Sequence, residues 1–95
     1  MALIALSDTV HRNQELLCSA VNHEMVIFHI GRNAYFSLDA VGTDIWQQLA
    51  QPVLVSTLCD ALLDSYAAER SVIEKDVLDL LADMAAAELI HVSQP

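Results

Sequence analysis

Basic residues are scarce in this chain. Four Lys and Arg stand against 13 Asp and Glu in 95 residues, a formal net charge of −9. Phosphate backbones are bound by a concentrated positive field, so nucleic acid is excluded as a default partner. An anionic membrane surface is disfavoured on the same ground. A basic or neutral peptide matches the charge better. Glycine and proline are also few, two of each, while hydrophobic residues make up 55%. That combination excludes intrinsic disorder. Cysteine is limited to Cys18 and Cys59, which form no C-x-x-C pair. We expect a cytoplasmic protein with two reduced, buried thiols, a disulfide between them being the alternative. No stretch approaches the roughly 20 apolar residues of a membrane span. Residues 1–6 are apolar but lack the basic flank and the length of a secretory signal.

The motifs of the common catalytic centres are missing too. There is no G-x-S-x-G, no P-loop, no Rossmann glycine pattern and no H-E-x-x-H. His11, His23, His29 and His91 show no metal-pair spacing, and His23 and His29 would face opposite sides of a regular strand. Cys59 sits in an apolar helical pattern amid acids. A nucleophilic thiol needs the opposite, an electropositive surround. No D-x-D-x-D-G loop suggests calcium. We expect no catalytic residue, no metal and no cofactor.

What is present divides into two textures within one domain, residues 1–95. Three acids face Arg12 and Arg32 in residues 1–38, a net of −1. Ten acids face Arg70 and Lys75 in residues 39–95, a net of −8. The first part reads as strands. Leu16–Val21, residues 25–30 and Ala34–Leu38 are apolar runs rich in β-branched and aromatic residues. Asn22-His23-Glu24 and Gly31-Arg32-Asn33 are short enough for hairpin connections, and Gly31 and Asn33 tolerate positive φ. In the third run Phe36 and Leu38 share one face, Tyr35 and Ser37 the other. Residues 3–12 fit a further edge strand or an arm.

The second part reads as helices. Asp39 is positioned to cap a short helix through Trp46 and Leu49, ended by Pro52. A second helix covers about residues 55–66, with Leu58, Leu62 and Tyr66 recurring at fourfold spacing. Ser71 and Glu74 predict a capping box for a third, whose stripe is Ile73, Val77, Leu80, Leu81 and Met84. Lys75 and Asp79 can pair on its exposed side. Residues 89–92 resume an extended pattern. Strands followed by helices predict an α+β fold, with the helices on the face bearing Phe36 and Leu38.

Two features suggest recognition. Asp76, Asp79 and Asp83 line one side of the third helix, either as a solvated face or as an acidic rim for a basic peptide. The run Ala34–Leu38 lies at a sheet edge, where unpaired backbone groups either stay protected or accept an added strand.

The stretch Glu24-Met25-Val26-Ile27-Phe28, Gly31, Tyr35-Phe36-Ser37-Leu38-Asp39, Gly42, Ile45-Trp46 and Leu49 resembles the PqqD family. Its pattern is an apolar strand, a Gly, an aromatic pair, Leu-Asn, a Gly, then Ile-Trp and Leu. Leu58, Leu62 and Tyr66 are similar to its middle helix, and residues 73–90, with Asp76-Val77, to its last. The resemblance covers about residues 16–92. Asp39 replaces the usual Asn, Leu54 stands where a capping Thr is common, and Glu88 replaces the usual Gly before Leu89-Ile90.

The resemblance implies a three-stranded antiparallel sheet followed by a three-helix, winged-helix-like bundle. It also implies a non-catalytic adaptor for the leader segment of a ribosomally made, modified peptide, as in lasso-peptide or pyrroloquinoline quinone synthesis. The precursor would be presented to a modifying enzyme or a leader protease. The leader would add as a strand beside Ala34, Tyr35, Phe36, Ser37 and Leu38. Tyr35, Ile73, Val77, Leu80 and Met84 are candidates for an apolar wall, and Asp76, Asp79 and Asp83 for a rim that favours Lys or Arg. Substituting Val77 by Asp is then expected to abolish binding and spare the fold. Two other readings stand beside this one: a winged-helix-like nucleic-acid module, which the charge disfavours, and a subunit that pairs with itself.

Overall fold

Two tight turns fold the first half of the chain into a meander in the computed structural model, which describes residues 4–22 and 24–93. After β1 (Thr9–Arg12) come β2 (Leu16–Val21), β3 (Glu24–His29) and β4 (Ala34–Leu38). The last three form an antiparallel sheet in the order β2-β3-β4, with Cys18 opposite Ile27 and Ile27 opposite Phe36. Asn22 and Asn33 hold the turns at φ 52. Asn visits this left-handed region because its short amide can bond locally. Of the two residues able to take positive φ in the second turn, Asn33 does so and Gly31 does not. His23 lies outside the described residues.

Strand alternation then sorts the sheet's two faces. Ile27, His29 and Leu38 are buried on the inner face, with Met25 and Phe36 half-buried beside them. The helices pack there, as expected. α1 (Ala40–Gln48) starts at once because the Asp39 carboxylate accepts the Gly42 amide at 2.8 Å. It stops before Pro52. The Leu49 and Ala50 amides turn back to the carbonyls of Trp46 and Gln47, tightening the last turn. β5 (Val53–Leu54), α2 (Val55–Ser65), α3 (Arg70–Ala86) and β6 (Ile90–Ser93) complete the chain. Trp46, Leu49, Val55, Leu58 and Leu81 are fully buried between these elements. Each such side chain contributes roughly 1.5–3 kcal/mol by leaving water.

A second antiparallel sheet, β5-β1-β6, joins the two chain ends. Of the segment expected as a further edge strand or an arm, Thr9–Arg12 does form a strand, but a central one. Val10 faces Val53 on one side and Val92 on the other and is wholly buried. The same segment caps α2. Leu54 has no side-chain oxygen to offer, and the Val55 and Ser56 amides donate instead to the carbonyls of Asp8 (2.9 Å) and Leu6 (3.0 Å).

The capping box predicted at Ser71 does not form. α3 starts at Arg70, and Glu74 turns outward to accept from Arg70 Nε at 2.7 Å. Arg70 Nη1 also reaches Asp60 at 2.6 Å, so a two-carboxylate clamp replaces the cap. The far end of α3 closes with a Schellman motif. The Leu89 amide bonds to Met84 O (2.9 Å) and the Glu88 amide to Ala85 O (3.0 Å), with Glu88 itself at φ 62. The predicted Lys75–Asp79 pair forms at 3.3 Å. Both cysteines are free; Cys59 is buried as expected, but Cys18 is exposed. Among the described residues its strand has a neighbour on one side only.

Candidate functional site

β4 is the meander's outer edge, and the hydrogen-bond phase shows which of its groups are free. One step beyond the β2–β3 ladder, the Ile30 amide donates to Glu15 O. In an antiparallel pair bonded and non-bonded residues alternate. Glu24, Val26 and Phe28 therefore direct their backbone groups to β2, and Met25, Ile27 and His29 to β4. On β4 the partners of this second set are Leu38, Phe36 and Ala34. The N–H and C=O groups of Tyr35 and Ser37 are left pointing away from the sheet.

Thr43 closes one end of this arrangement. Its buried hydroxyl accepts the Met25 amide at 3.0 Å and donates to Leu38 O at 3.3 Å. The final rung of the β3–β4 ladder thus passes through a side chain of α1. Gly42 supports the same corner, because an added Cβ would lie 3.3 Å from Leu38 Cβ.

α3 passes the two ends of β4 in the opposite chain direction. At the Ala34 end, Arg32 Nη1 donates to Ala86 O, the end of α3, at 3.2 Å. At the Leu38 end a cavity of about 350 Å³ separates Asp39 and α1 from the first half of α3. Val41 and Ile45 line it from α1, Leu62 and Tyr66 from α2 and its exit, and Val72, Ile73, Val77 and Leu80 from α3. Asp39 and Asp76 are the acids on its wall. Tyr66 donates its phenol proton to Asp44 of α1, which ties the α2–α3 connection across the mouth. That bond, more than the acids nearby, pushes the phenol's pKa up.

The structure brings together only part of the set expected from the sequence. Ile73, Asp76, Val77 and Leu80 meet on the cavity wall. Leu80 is half-exposed there, whereas Ile73 and Val77 are buried and serve the core as well. Met84 is also buried, one step further along α3, beyond the cavity. Val77→Asp would bury an unpaired carboxylate, so the expectation that this variant keeps its fold is withdrawn. Asp83 lies seven residues from Asp76, hence on the same side of α3, and both are exposed. Asp79 lies between them on that side but is already paired with Lys75. Ala34, Phe36 and Leu38 turn to the inner face. Tyr35 cannot share a wall with α3: it is 74% exposed on the outer face, its ring 4.7 Å from Phe28. The alternation already noted for Phe36 and Ser37 would have excluded it. Val41 and Val72 escaped notice because they extend no core stripe, and Tyr66 was read only as the end of the second helix's apolar recurrence.

Electrostatically the cleft is negative. Arg12 is bonded to Trp46 O and lies 4.7 Å over the Trp46 ring. Arg32 holds Ala86 O, Arg70 holds Asp60 and Glu74, and Lys75 holds Asp79. All four Lys and Arg of the chain are thus engaged, and among the described residues Asp39, Asp76 and Asp83 around the cleft have no cation beside them. Burial raises the pKa of Cys59, with Glu74 and Asp60 adding to it, so this thiol stays protonated at neutral pH. Among the described residues no group of His, Cys, Asp and Glu is placed to hold a metal ion. No helix of the described chain is long and apolar enough to cross a membrane.

A search of curated proteins finds no match. A solved structure of TbiB1 in complex with the TbiA(beta) leader peptide is 30% identical in sequence, covering 85% of this chain and 94% of its own, with a TM-score of 0.81. The family model described as coenzyme PQQ synthesis protein D matches residues 24–90, a span that takes in β3, β4, all three helices and every wall of the cleft. On this extent of agreement, from the free edge of β4 to the end of α3, the chain belongs to the PqqD family.

Proposed function

We propose that this chain is a non-catalytic adaptor that binds the leader segment of a ribosomally synthesised, post-translationally modified peptide. It presents the precursor to a modifying enzyme or a leader protease in the cytoplasm, without nucleic acid, membrane or cofactor. The observation that carries this reading is the unpaired backbone of Tyr35 and Ser37 at an edge whose Leu38 end leads, through Asp39, to an apolar cavity between α1 and α3. TbiB1, whose fold this chain shares, was solved with a leader peptide bound. An extended leader would exchange backbone hydrogen bonds with Tyr35 and Ser37, each worth about 0.5–1.5 kcal/mol net. These bonds are indifferent to sequence, so choice comes from side chains. On the inner side every second leader residue faces the cleft, where the Ile73–Leu80 wall suits an apolar anchor. Asp76 and Asp83 favour Lys or Arg at its rim.

The test is a calorimetric titration with a synthetic peptide, the leader of any short precursor encoded beside this chain's gene. Saturable binding to the wild type is expected. Ser37→Pro deletes an outward N–H that the sheet itself does not use, so affinity should fall about tenfold with the fold intact. A folded wild-type protein that ignores the peptide, or a folded Ser37→Pro variant with unchanged affinity, would overturn the proposal.

A further inference from the structure

The meander has a second free edge, and its chemistry is symmetric. β2 is the outer strand opposite β4, and residues 17–21 are exposed. By the phase established above, Leu17, Ser19 and Val21 spend their backbone groups on β3. Leu16, Cys18 and Ala20 point theirs outward. The strand, Leu-Leu-Cys-Ser-Ala-Val, holds no charge and no proline, the two devices that commonly blunt an edge. Its outer face continues as an uncharged patch through Leu17, Val26, Phe28 and Tyr35.

We propose that β2 pairs antiparallel with β2 of a second copy of this chain, about a two-fold axis at Cys18. That register places Leu16 opposite the partner's Ala20 and Cys18 opposite the partner's Cys18. It uses all three outward N–H groups and all three outward C=O groups of each copy; a shift by two residues leaves some unpaired. Charge favours this occupant as well. Residues 1–38 carry only −1 of the net −9, so two copies meet where they repel least. Glu15, the acid flanking the strand, falls opposite the partner's Val21 rather than an acid. The result is one continuous sheet, β4-β3-β2 joined to its symmetry mate, in which both β4 edges stay open at the two ends. A dimer of this kind holds two leaders, one per chain.

Sedimentation velocity from micromolar to near-millimolar concentration tests this on the full chain. The wild type should pass from monomer to dimer, and a short bis-maleimide should join the dimer through Cys18, since paired Cα atoms at such a position lie about 5.5 Å apart. Ala20→Pro removes an outward N–H from each copy, and Cys18→Lys sets two ammonium groups face to face. Both variants should keep the native circular dichroism and leader affinity and weaken association about tenfold or more. If Ala20→Pro fails to fold, Cys18→Lys decides alone. A wild type that stays monomeric throughout, a dimer that survives in the folded variants, or a dimer that the maleimide does not join overturns the proposal. None of these outcomes touches leader binding at β4, so the two readings fail separately.

Discussion

Glu88→Gly is expected to stabilise the protein, although it deletes a charged side chain from a helix end. Glu88 occupies the left-handed C′ position of the Schellman motif, at φ 62. A residue with a Cβ spends about 1–2 kcal/mol there, and glycine almost nothing. Glycine returns part of the gain, about 0.5–1 kcal/mol, because it leaves the unfolded chain more freedom. The carboxylate offsets little. It lies 3.8 Å from His29 Nε2, beyond hydrogen-bond range, and is 66% exposed. His29 Nδ1 accepts the Arg32 amide at 3.1 Å, which makes Nε2 the donor, and that buried atom has no hydrogen-bond partner among the described residues whether or not the carboxylate is present. The backbone bonds of residue 88 survive the change, including the Asn13 Nδ2 contact to its carbonyl at 2.8 Å. The balance is a gain of roughly 0.5–1 kcal/mol, or a few degrees in Tm for a domain of this size. Thermal melting followed by circular dichroism, with Trp46 fluorescence as a second probe, measures it. A fall in Tm would refute the reasoning and show that the carboxylate beside His29 outweighs the backbone strain.

Thr43→Val should destabilise by about 1–3 kcal/mol in urea denaturation, since the buried Met25 amide and Leu38 carbonyl both lose their partner. An unchanged midpoint would show that the two strands close the gap directly. A maleimide added to the native protein should label Cys18 and spare Cys59, whose burial raises its pKa, with both labelled in denaturant; mass spectrometry counts the adducts. Affinity for a leader containing Lys or Arg should fall as salt rises from 50 to 500 mM, because Asp76 and Asp83 are exposed and screened. A salt-independent titration would leave the strand pairing and remove the charge argument.

The meander, the three helices and the Asp39 cap were legible in the sequence because each is locally encoded. Period-two alternation marks strands, fourfold recurrence marks helices, and a carboxylate three residues before an amide marks a cap. The second sheet was not legible, because Val10 meets Val92 only after the whole chain has folded between them. The Ser71 capping box failed for a related reason: Asp60, on another helix, recruits Arg70, which in turn takes Glu74. At the site, the edge strand and half of the cleft wall could be found from the stripe on α3. A stripe cannot say which of its members face a cleft and which a core, and Met84 and Val77 proved to be buried. The free groups of β4 follow from the ladder's phase, which depends on register and so becomes visible only with both strands in place.

Amide hydrogen exchange followed by NMR tests the central claim most directly. In the free chain the amides of Tyr35 and Ser37 should exchange fast, because they point to solvent, while that of Phe36, bonded to Ile27, exchanges slowly. Addition of the leader peptide should protect Tyr35 and Ser37 and leave Phe36 as it was. Protection that appears instead at Leu16, Cys18 and Ala20, or nowhere along β4, would contradict capture of the leader as an added strand.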